Sequence, residues 1–171
     1  MIITCKDIRD FERRTNEMHK RINQTVLHRD EGPAQRREWE QACAEWHSYD
    51  TPVWELWSRE VRDAIVQNKG KCRESAITFL EEDPWCFRSG YLKERVIRAL
   101  KQTTLTDSEA SRIQEVLLRI VDSRHRREFR DFCRLARKVA DSSLISKLQS
   151  RLASPNIGIR LRSSWMLDYV R

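Results

Sequence analysis

The sequence contains few glycines and prolines. Its 171 residues include 4 of each, whereas an all-β domain needs many tight turns, which depend on these two residue types. The one stretch with a strand-like composition, residues 2–4, is too short to stand alone. We therefore expect an all-α fold.

Long apolar segments are also absent. No run approaches the roughly 20 residues that a helix needs to cross a bilayer, and residues 1–7 contain no apolar core of a secretory signal peptide. We therefore expect no membrane partner, and we predict a cytoplasmic protein.

The cysteines do not form a recognisable framework. There are five, at positions 5, 43, 72, 86 and 133, and none belongs to a CxxC pair. This pattern favours reduced, mostly buried thiols over disulfides or a zinc site. Glu40, Cys43 and His47 share one face of a predicted helix and could bind a metal or include a nucleophilic Cys–His pair. No other histidine has a ligand partner at a useful spacing, so we predict no metal site.

Motifs that bind cofactors or carry catalysis are missing as well. The sequence has no P-loop, HExxH, GxSxG or GxGxxG motif. Without a glycine-rich loop, chemistry on a phosphate-bearing cofactor is not expected. We predict no cofactor, no catalytic residues and no enzymatic activity.

What the sequence does have is an uneven distribution of charge. It carries 33 Lys+Arg and 26 Asp+Glu, a formal net charge of +7. Residues 1–85 hold 14 basic and 17 acidic side chains, whereas residues 86–171 hold 19 basic and 9 acidic ones. The first half therefore carries −3 and the second +10. This asymmetry indicates a partner of negative charge, or a second copy of the acidic half.

Apolar residues recur at intervals of three and four along most of the chain, which is the pattern of amphipathic helices. Helix-starting and helix-ending residues, such as Thr51-Pro52 and the capping box from Thr106 to Glu109, divide this pattern into nine helices. Connections of two to five residues predict antiparallel neighbours. The predicted helices cover 6–28, 33–48, 52–68, 71–82, 90–102, a segment that begins after Thr106, 125–139, 142–153, and the segment from Pro155 to the C-terminus.

Pairing these helices reveals a rough repeat. Residues 71–102, 106–140 and 141–171 each hold two helices within 31 to 35 residues, a period typical of α-solenoids. Residues 1–70 are acidic and rich in tryptophan, and they are predicted to form a helical cap or small bundle.

The last pair carries the most specific pattern. Leu144, Leu148 and Leu152 line its first helix, Ser154-Pro155-Asn156 forms the turn, and Arg160 follows. Residues 141–171 resemble a HEAT repeat, and residues 71–140 share only the helix pairing. The resemblance implies a HEAT-like, antiparallel helix-pair solenoid in which Arg160 stacks in a ladder along the inner helices. Asn156 stands where that family often has an aspartate, and an asparagine cannot form the charged pair of the ladder.

The densest basic cluster lies in residues 119–138, with eight Arg or Lys and three acids. Arg126, Arg130, Arg134 and Arg137 are spaced by 4, 4 and 3, which places them on one face of the predicted seventh helix. Arginine suits planar, bidentate contact with phosphate. In the alternative interpretation these arginines pair with acids such as Asp131 and Glu94 on a solvated face. The full set of candidate binding residues is Arg88, Arg95, Arg98, Lys101, Arg126, Arg127, Arg130, Arg134, Arg137 and Lys138.

Aromatic side chains beside a basic face could stack nucleobases. Trp85 and Phe87 near Arg88 are the best candidates, although large aromatics usually bury, so we favour a loop that closes the core. By helical spacing, the tryptophans assigned to the core are Trp39, Trp46 and Trp57. Trp54 lies off this stripe and is a candidate contact for a protein partner.

Three functions are consistent with the sequence. Solenoids mostly bind other macromolecules on an extended face, so the first is a non-enzymatic module whose Arg-rich face contacts nucleic acid backbone, alone or as a subunit of a larger assembly. The second is a scaffold that docks on an acidic protein. The third is a HEAT-like DNA glycosylase, in which Asp83 would be the catalytic carboxylate, although its position favours a turn residue.

Overall fold

The computed structural model describes residues 2–170. This range is all-helical, as predicted, and contains no β-strand. A 3-10 helix at Pro52–Trp57 precedes the third of its α-helices. None of these helices combines the length and apolarity needed to span a bilayer. The α-helices are α1 (Cys5–Thr25), α2 (Pro33–Ser48), α3 (Arg59–Val66), α4 (Cys72–Glu82), α5 (Ser89–Leu100), α6 (Asp107–Asp122), α7 (Phe129–Val139), α8 (Ser142–Arg151) and α9 (Ile157–Val170).

The helix predicted over 52–68 is two elements, because the chain becomes extended at Ser58. This residue has φ −68° and ψ 151°, and its hydroxyl accepts a hydrogen bond from the backbone N–H of Val61 at 3.1 Å. A serine that satisfies the free amides of a following helix is a good N-cap and a poor interior residue. The apolar spacing continues across Ser58 and hides this break.

Helices two apart in the chain pack against each other throughout the second half. α4 contacts α6 and α6 contacts α8, while α5 contacts α7 and α7 contacts α9. The second half therefore forms two adjoining rows, α4–α6–α8 and α5–α7–α9. The first half joins them, since α1 packs against α4 and α3 packs against both α4 and α5.

One continuous core runs through both halves, from Ile3 to Leu167. Its largest fully buried rings are Phe11, Phe79 and Phe132, and burial of such a side chain stabilises the fold by about 1.5–3 kcal/mol. The N-terminal segment is held to α4 by a hydrogen bond from the Ile3 amide to the Ser75 hydroxyl, 2.8 Å long.

The tryptophans of the first half do not bury as predicted. Trp54 packs against the core and meets Phe11 edge-to-face, with ring centroids 4.9 Å apart. It therefore makes an internal contact on one side, while the residue stays partly exposed. Trp39 and Trp46 are half-buried outside the core cluster, whereas Trp57 packs against it. Trp39 and Trp46 stay partly exposed because α2 packs chiefly against one helix, α1, which covers only one side of them.

The last helix pair follows the predicted pattern in part. Leu144 and Leu148 are fully buried, but Leu152 is exposed because α8 ends at Arg151. Arg160 donates hydrogen bonds to the carbonyls of Ser154 and Pro155, at 2.7 and 3.1 Å, within its own turn. Its guanidinium therefore braces the start of α9.

The predicted capping box at the start of α6 is confirmed. Thr106 Oγ1 accepts from the Glu109 amide at 3.2 Å, and the Glu109 carboxylate accepts from the Thr106 amide at 2.8 Å.

Replacing Thr106 with alanine should lower the free energy of unfolding by about 1 kcal/mol, because the amide of Glu109 loses its acceptor. Urea denaturation followed by circular dichroism measures this change. Thr104→Ala is the matched control, since the Thr104 side chain is exposed and belongs to no cap. Equal effects of the two substitutions would contradict the assigned cap.

Candidate anion-binding surface

The segment between α6 and α7 is a loop and not the first turn of a helix. Residues 123–128, here called the arginine loop, begin at the extended Ser123 (φ −88°, ψ −164°), and α7 begins at Phe129. Arg126 and Arg127 therefore lie outside α7. The prediction that Arg126 shares a helical face with Arg130 is wrong, because the chain leaves the helical path at Ser123.

Arg126 belongs to a buried charge cluster that the sequence analysis missed. The side chains of Lys93 and Glu128 are 0% and 1% exposed, and Lys93 Nζ lies 2.6 Å from Asp83 Oδ1 and 3.6 Å from Glu128 Oε1. The same Asp83 oxygen accepts a hydrogen bond from Arg126 Nη1. The cluster ties the end of α4, the helix α5 and the arginine loop together. Arg126 is thus a structural residue, and it leaves the set of free binding arginines.

Asp83 ends α4 with a left-handed backbone conformation, φ 49° and ψ 50°. The prediction of a helix-ending turn residue is confirmed. Its carboxylate is shared by two cations, Lys93 and Arg126. A carboxylate held in this way positions the chain around it.

Two partly buried acids neutralise part of the predicted basic face. Glu94 lies 3.4 Å from Arg98 and 3.2 Å from Arg127. Asp131 lies 3.7 Å from Arg98 and 3.3 Å from Arg134. The alternative interpretation, in which the arginines pair with Glu94 and Asp131, is therefore confirmed for Arg98, Arg127 and Arg134.

Arg95 faces the first half of the molecule. It donates a hydrogen bond to the backbone carbonyl of Trp57, and its guanidinium carbon lies 5.3 Å from the centre of the Trp57 ring. This residue joins α5 to the 3-10 helix. It does not extend the basic face of α7, because helix α5 presents it to a different neighbour.

The other candidate binding residues, together with Arg124 of the arginine loop, have no carboxylate within 4.0 Å among residues 2–170. Those on α7 are exposed: Arg130, and about two helical turns further on the adjacent Arg137 and Lys138. The others are Arg88, Lys101 and, from the arginine loop, Arg124. These residues supply part of the uncompensated positive charge of the second half.

Trp85 and Phe87 do not close the core. They are 47% and 44% exposed, so this prediction is wrong. The buried Pro84 takes the inward position, and α1 fixes the loop from outside: the Trp85 amide donates to Glu12 at 2.8 Å. Phe87 then rests on His19, with ring centroids 4.0 Å apart.

Guanidinium groups lie over the exposed aromatic rings beside the arginine loop. The guanidinium carbon of Arg124 is 3.5 Å from the centre of the Trp85 ring, and that of Arg127 is 3.7 Å from the centre of the Tyr91 ring. The Tyr91 side chain, followed by the charge of Glu94, raises the pKa of Arg127 above its ordinary value. A contact of this kind holds an arginine in place and leaves its N–H edges available to phosphate, as at Arg124, whereas Arg127 also contacts Glu94 at 3.2 Å.

A groove of about 420 Å³ continues this surface between α7 and α9. We call it the aromatic groove. Its α9 wall is formed by Trp165, Asp168 and Tyr169, and its floor includes Phe129, whose ring centroid is 6.2 Å from that of Trp165. Arg130 borders the groove and donates a hydrogen bond to the Tyr169 hydroxyl at 3.2 Å. His125, Arg126, Arg127 and Cys133 complete the lining.

We refer to the whole area as the Arg–aromatic surface, and its defining residues are Trp85, Tyr91, Arg124, Arg127, Arg130, Trp165 and Tyr169. Sequence analysis missed Trp165, Tyr169 and Tyr91 as site residues. A signal existed for the first two: they are four residues apart, so they share a face of α9, while the neighbouring Met166 and Leu167 are buried.

No group of three or more potential metal ligands occurs in the described part of the chain, the Glu40–Cys43–His47 face included. Burial raises the pKa of the Cys86 and Cys133 thiols to about 12. These thiols stay protonated near neutral pH, and a protonated thiol is a poor nucleophile.

Neither the protein-family models, nor the curated proteins, nor the solved structures with which the chain was compared include a match to it. The function is therefore argued from the Arg–aromatic surface itself.

Proposed function

We propose that this protein is a non-enzymatic helical binding module that holds nucleic acid on the Arg–aromatic surface. The main observation behind this proposal is that arginines lie beside aromatic rings across this surface. Each of these arginines either lacks a carboxylate partner or stacks on a ring. Arg124 stacked on Trp85 is the clearest pair, and Arg130 donates a hydrogen bond to the hydroxyl of the half-buried Tyr169.

The chemistry of this surface favours a nucleic acid over other anions. Guanidinium groups bind phosphate through two parallel N–H donors. Exposed aromatic rings stack on bases, whose faces are available in single strands and loops. A surface that offers both groups side by side matches a ligand in which phosphates and aromatic bases alternate.

The packing of the second half supports a HEAT-like solenoid as its scaffold. Two adjoining rows, α4–α6–α8 and α5–α7–α9, are the arrangement that stacked helix pairs produce. Such scaffolds bind extended macromolecules and assemble with other subunits. The five free cysteines agree with a reducing, cytoplasmic environment.

The ion pairs that Asp83 makes favour a binding function over glycosylase catalysis. Its carboxylate is shared between Lys93 and Arg126, and the cluster has equal numbers of positive and negative groups. In this proposal Asp83 shapes the arginine loop and does not act on a substrate.

Salt dependence of binding tests the proposal. The logarithm of the association constant of the full chain for a fluorescent single-stranded oligonucleotide should fall linearly with the logarithm of the salt concentration. The expected slope is about −3 if four phosphates are neutralised. Fluorescence anisotropy at several salt concentrations gives this slope. Absence of binding to single-stranded and duplex nucleic acid at low salt would refute the proposal.

A second candidate is an acidic protein partner. Glu94 and Asp131 lie 3.2–3.7 Å from Arg98, Arg127 and Arg134, so carboxylates fit between arginines of this face. A cleft of about 450 Å³ in the tryptophan-rich first half, lined by Trp46, Trp54 and Trp57, offers a separate place for a protein contact. Retention of a poly-glutamate peptide, with no retention of oligonucleotides, would favour this candidate.

A further inference from the structure

We infer that the aromatic groove receives one unstacked base of a single-stranded nucleic acid, and that this base carries an exocyclic amino group. The inference rests on the proposed function and names its ligand class. It assigns a role to Trp165 and Asp168, which backbone binding alone does not require.

The size and lining of the groove fit a nucleotide. Its volume of about 420 Å³ lies within the range of roughly 300–1,000 Å³ that is typical of small-molecule sites. Trp165 is 45% exposed, so one part of its ring is free for a ligand, and it forms a T-shaped pair with His125 at a centroid distance of 5.9 Å. A base stacked on Trp165 would cover apolar surface that is now open to water.

The groove selects a single strand. Bases in a duplex are stacked on both faces, so their rings cannot reach a wall set between two helices unless they leave the stack. Arg130 borders the groove with no carboxylate within 4.0 Å among residues 2–170. A flexible strand can place a phosphate on Arg130 and its attached base against Trp165.

The two walls of the groove carry opposite charges. Arg130 belongs to α7, whereas Asp168 belongs to α9, one turn from Trp165. A carboxylate repels phosphate and accepts hydrogen bonds, so the Asp168 side suits the amino edge of a base. Cytosine presents an N4 amino donor there, whereas thymine presents its O4 acceptor.

Three single-stranded oligonucleotides of equal length test this inference: oligo(dC), oligo(dT) and an abasic strand with the same phosphates. Anisotropy titration of the full chain should give affinity for oligo(dC) about tenfold above that for the abasic strand, from the stacking of one base. Its affinity should also exceed that for oligo(dT) by about fivefold, from one base-edge contact.

Two substitutions assign these effects to residues. Trp165→Ala should reduce the affinity for oligo(dC) to that for the abasic strand, and Asp168→Asn should remove the preference for oligo(dC) over oligo(dT). Trp39→Ala is the control, because Trp39 is also partly exposed but lies on α2. Circular dichroism establishes that each variant keeps its helix content, which the exposure of Trp165 leads us to expect.

The outcomes separate this inference from the proposed function. Equal, salt-dependent affinity for all three strands would overturn the groove assignment and leave backbone binding intact. Equal affinity for oligo(dC) and oligo(dT) would overturn the role of Asp168. If none of the strands binds at low salt, the proposed function fails together with the inference.

Discussion

Replacing Lys93 with methionine will lower the free energy of unfolding by about 3–5 kcal/mol, which is the usual effect of removing one member of a buried ion pair. Lys93 is fully buried, and it lies between Asp83 and Glu128. Methionine fills a similar volume, so the change isolates the charge. Asp83 keeps Arg126 as a partner, whereas Glu128 is left as a negative charge with almost no contact with water.

Chemical denaturation of two further variants tests the cause. Lys147→Met removes an exposed ion pair with Glu115, 3.4 Å long, and should change stability by less than about 1 kcal/mol. Combining Lys93→Met with Glu128→Gln should restore part of the lost stability, because it removes the uncompensated charge. A loss below about 1 kcal/mol for Lys93→Met alone would contradict the network, since that is the effect of an exposed pair.

Reversing two arginines of the Arg–aromatic surface will abolish most nucleic acid binding without unfolding the protein. Arg124→Glu together with Arg130→Glu should reduce affinity by about 100-fold or more, since two charge-assisted contacts are lost and each is commonly worth 1.5–3 kcal/mol. Both side chains are exposed, so the melting temperature should change little. Anisotropy titration at about 0.1 M salt, where the Debye length is about 10 Å, measures the affinity.

A matched double variant controls for net charge. Arg14→Glu with Arg37→Glu produces the same change in charge, and both residues are exposed on α1 and α2. Its affinity should stay within about threefold of the unmodified protein, because distant exposed charges are screened over roughly one Debye length. Equal losses for the two double variants would indicate a general charge effect and no localised surface.

The helices were predictable wherever local chemistry decided them. The range predicted for the second helix, 33–48, coincides with α2, and the capping box at Thr106 marks the start of α6. The break at Ser58 was not predictable from spacing, because the apolar stripe is in register on both sides of it. The short loop before α7 was missed for a similar reason: arginines at intervals of three and four look alike in a helix and in an irregular segment.

The sequence predicted the sign of the charge on the candidate surface, but not which of its side chains are paired across helices or buried. Composition located the basic half, and the pairs Arg98–Glu94 and Arg134–Asp131 lie four and three residues apart on one helix, so spacing indicates them. The pairs Arg98–Asp131 and Arg127–Glu94 depend on how α5 packs against α7 and the arginine loop. Burial of Lys93 depends on the same packing. Long-range contacts of this kind have no signature in the order of the residues.

The buried cluster around Asp83 and the exposed Arg–aromatic surface respond differently to dissolved ions. At about 0.1 M salt, interactions between exposed charges more than about 10 Å apart are largely screened, and higher salt shortens this distance, whereas pairs removed from water are screened much less. The shape of the arginine loop therefore persists at ionic strengths that weaken its hold on a phosphate. A ligand can be released by salt, and bound again on dilution, from a protein that never has to refold.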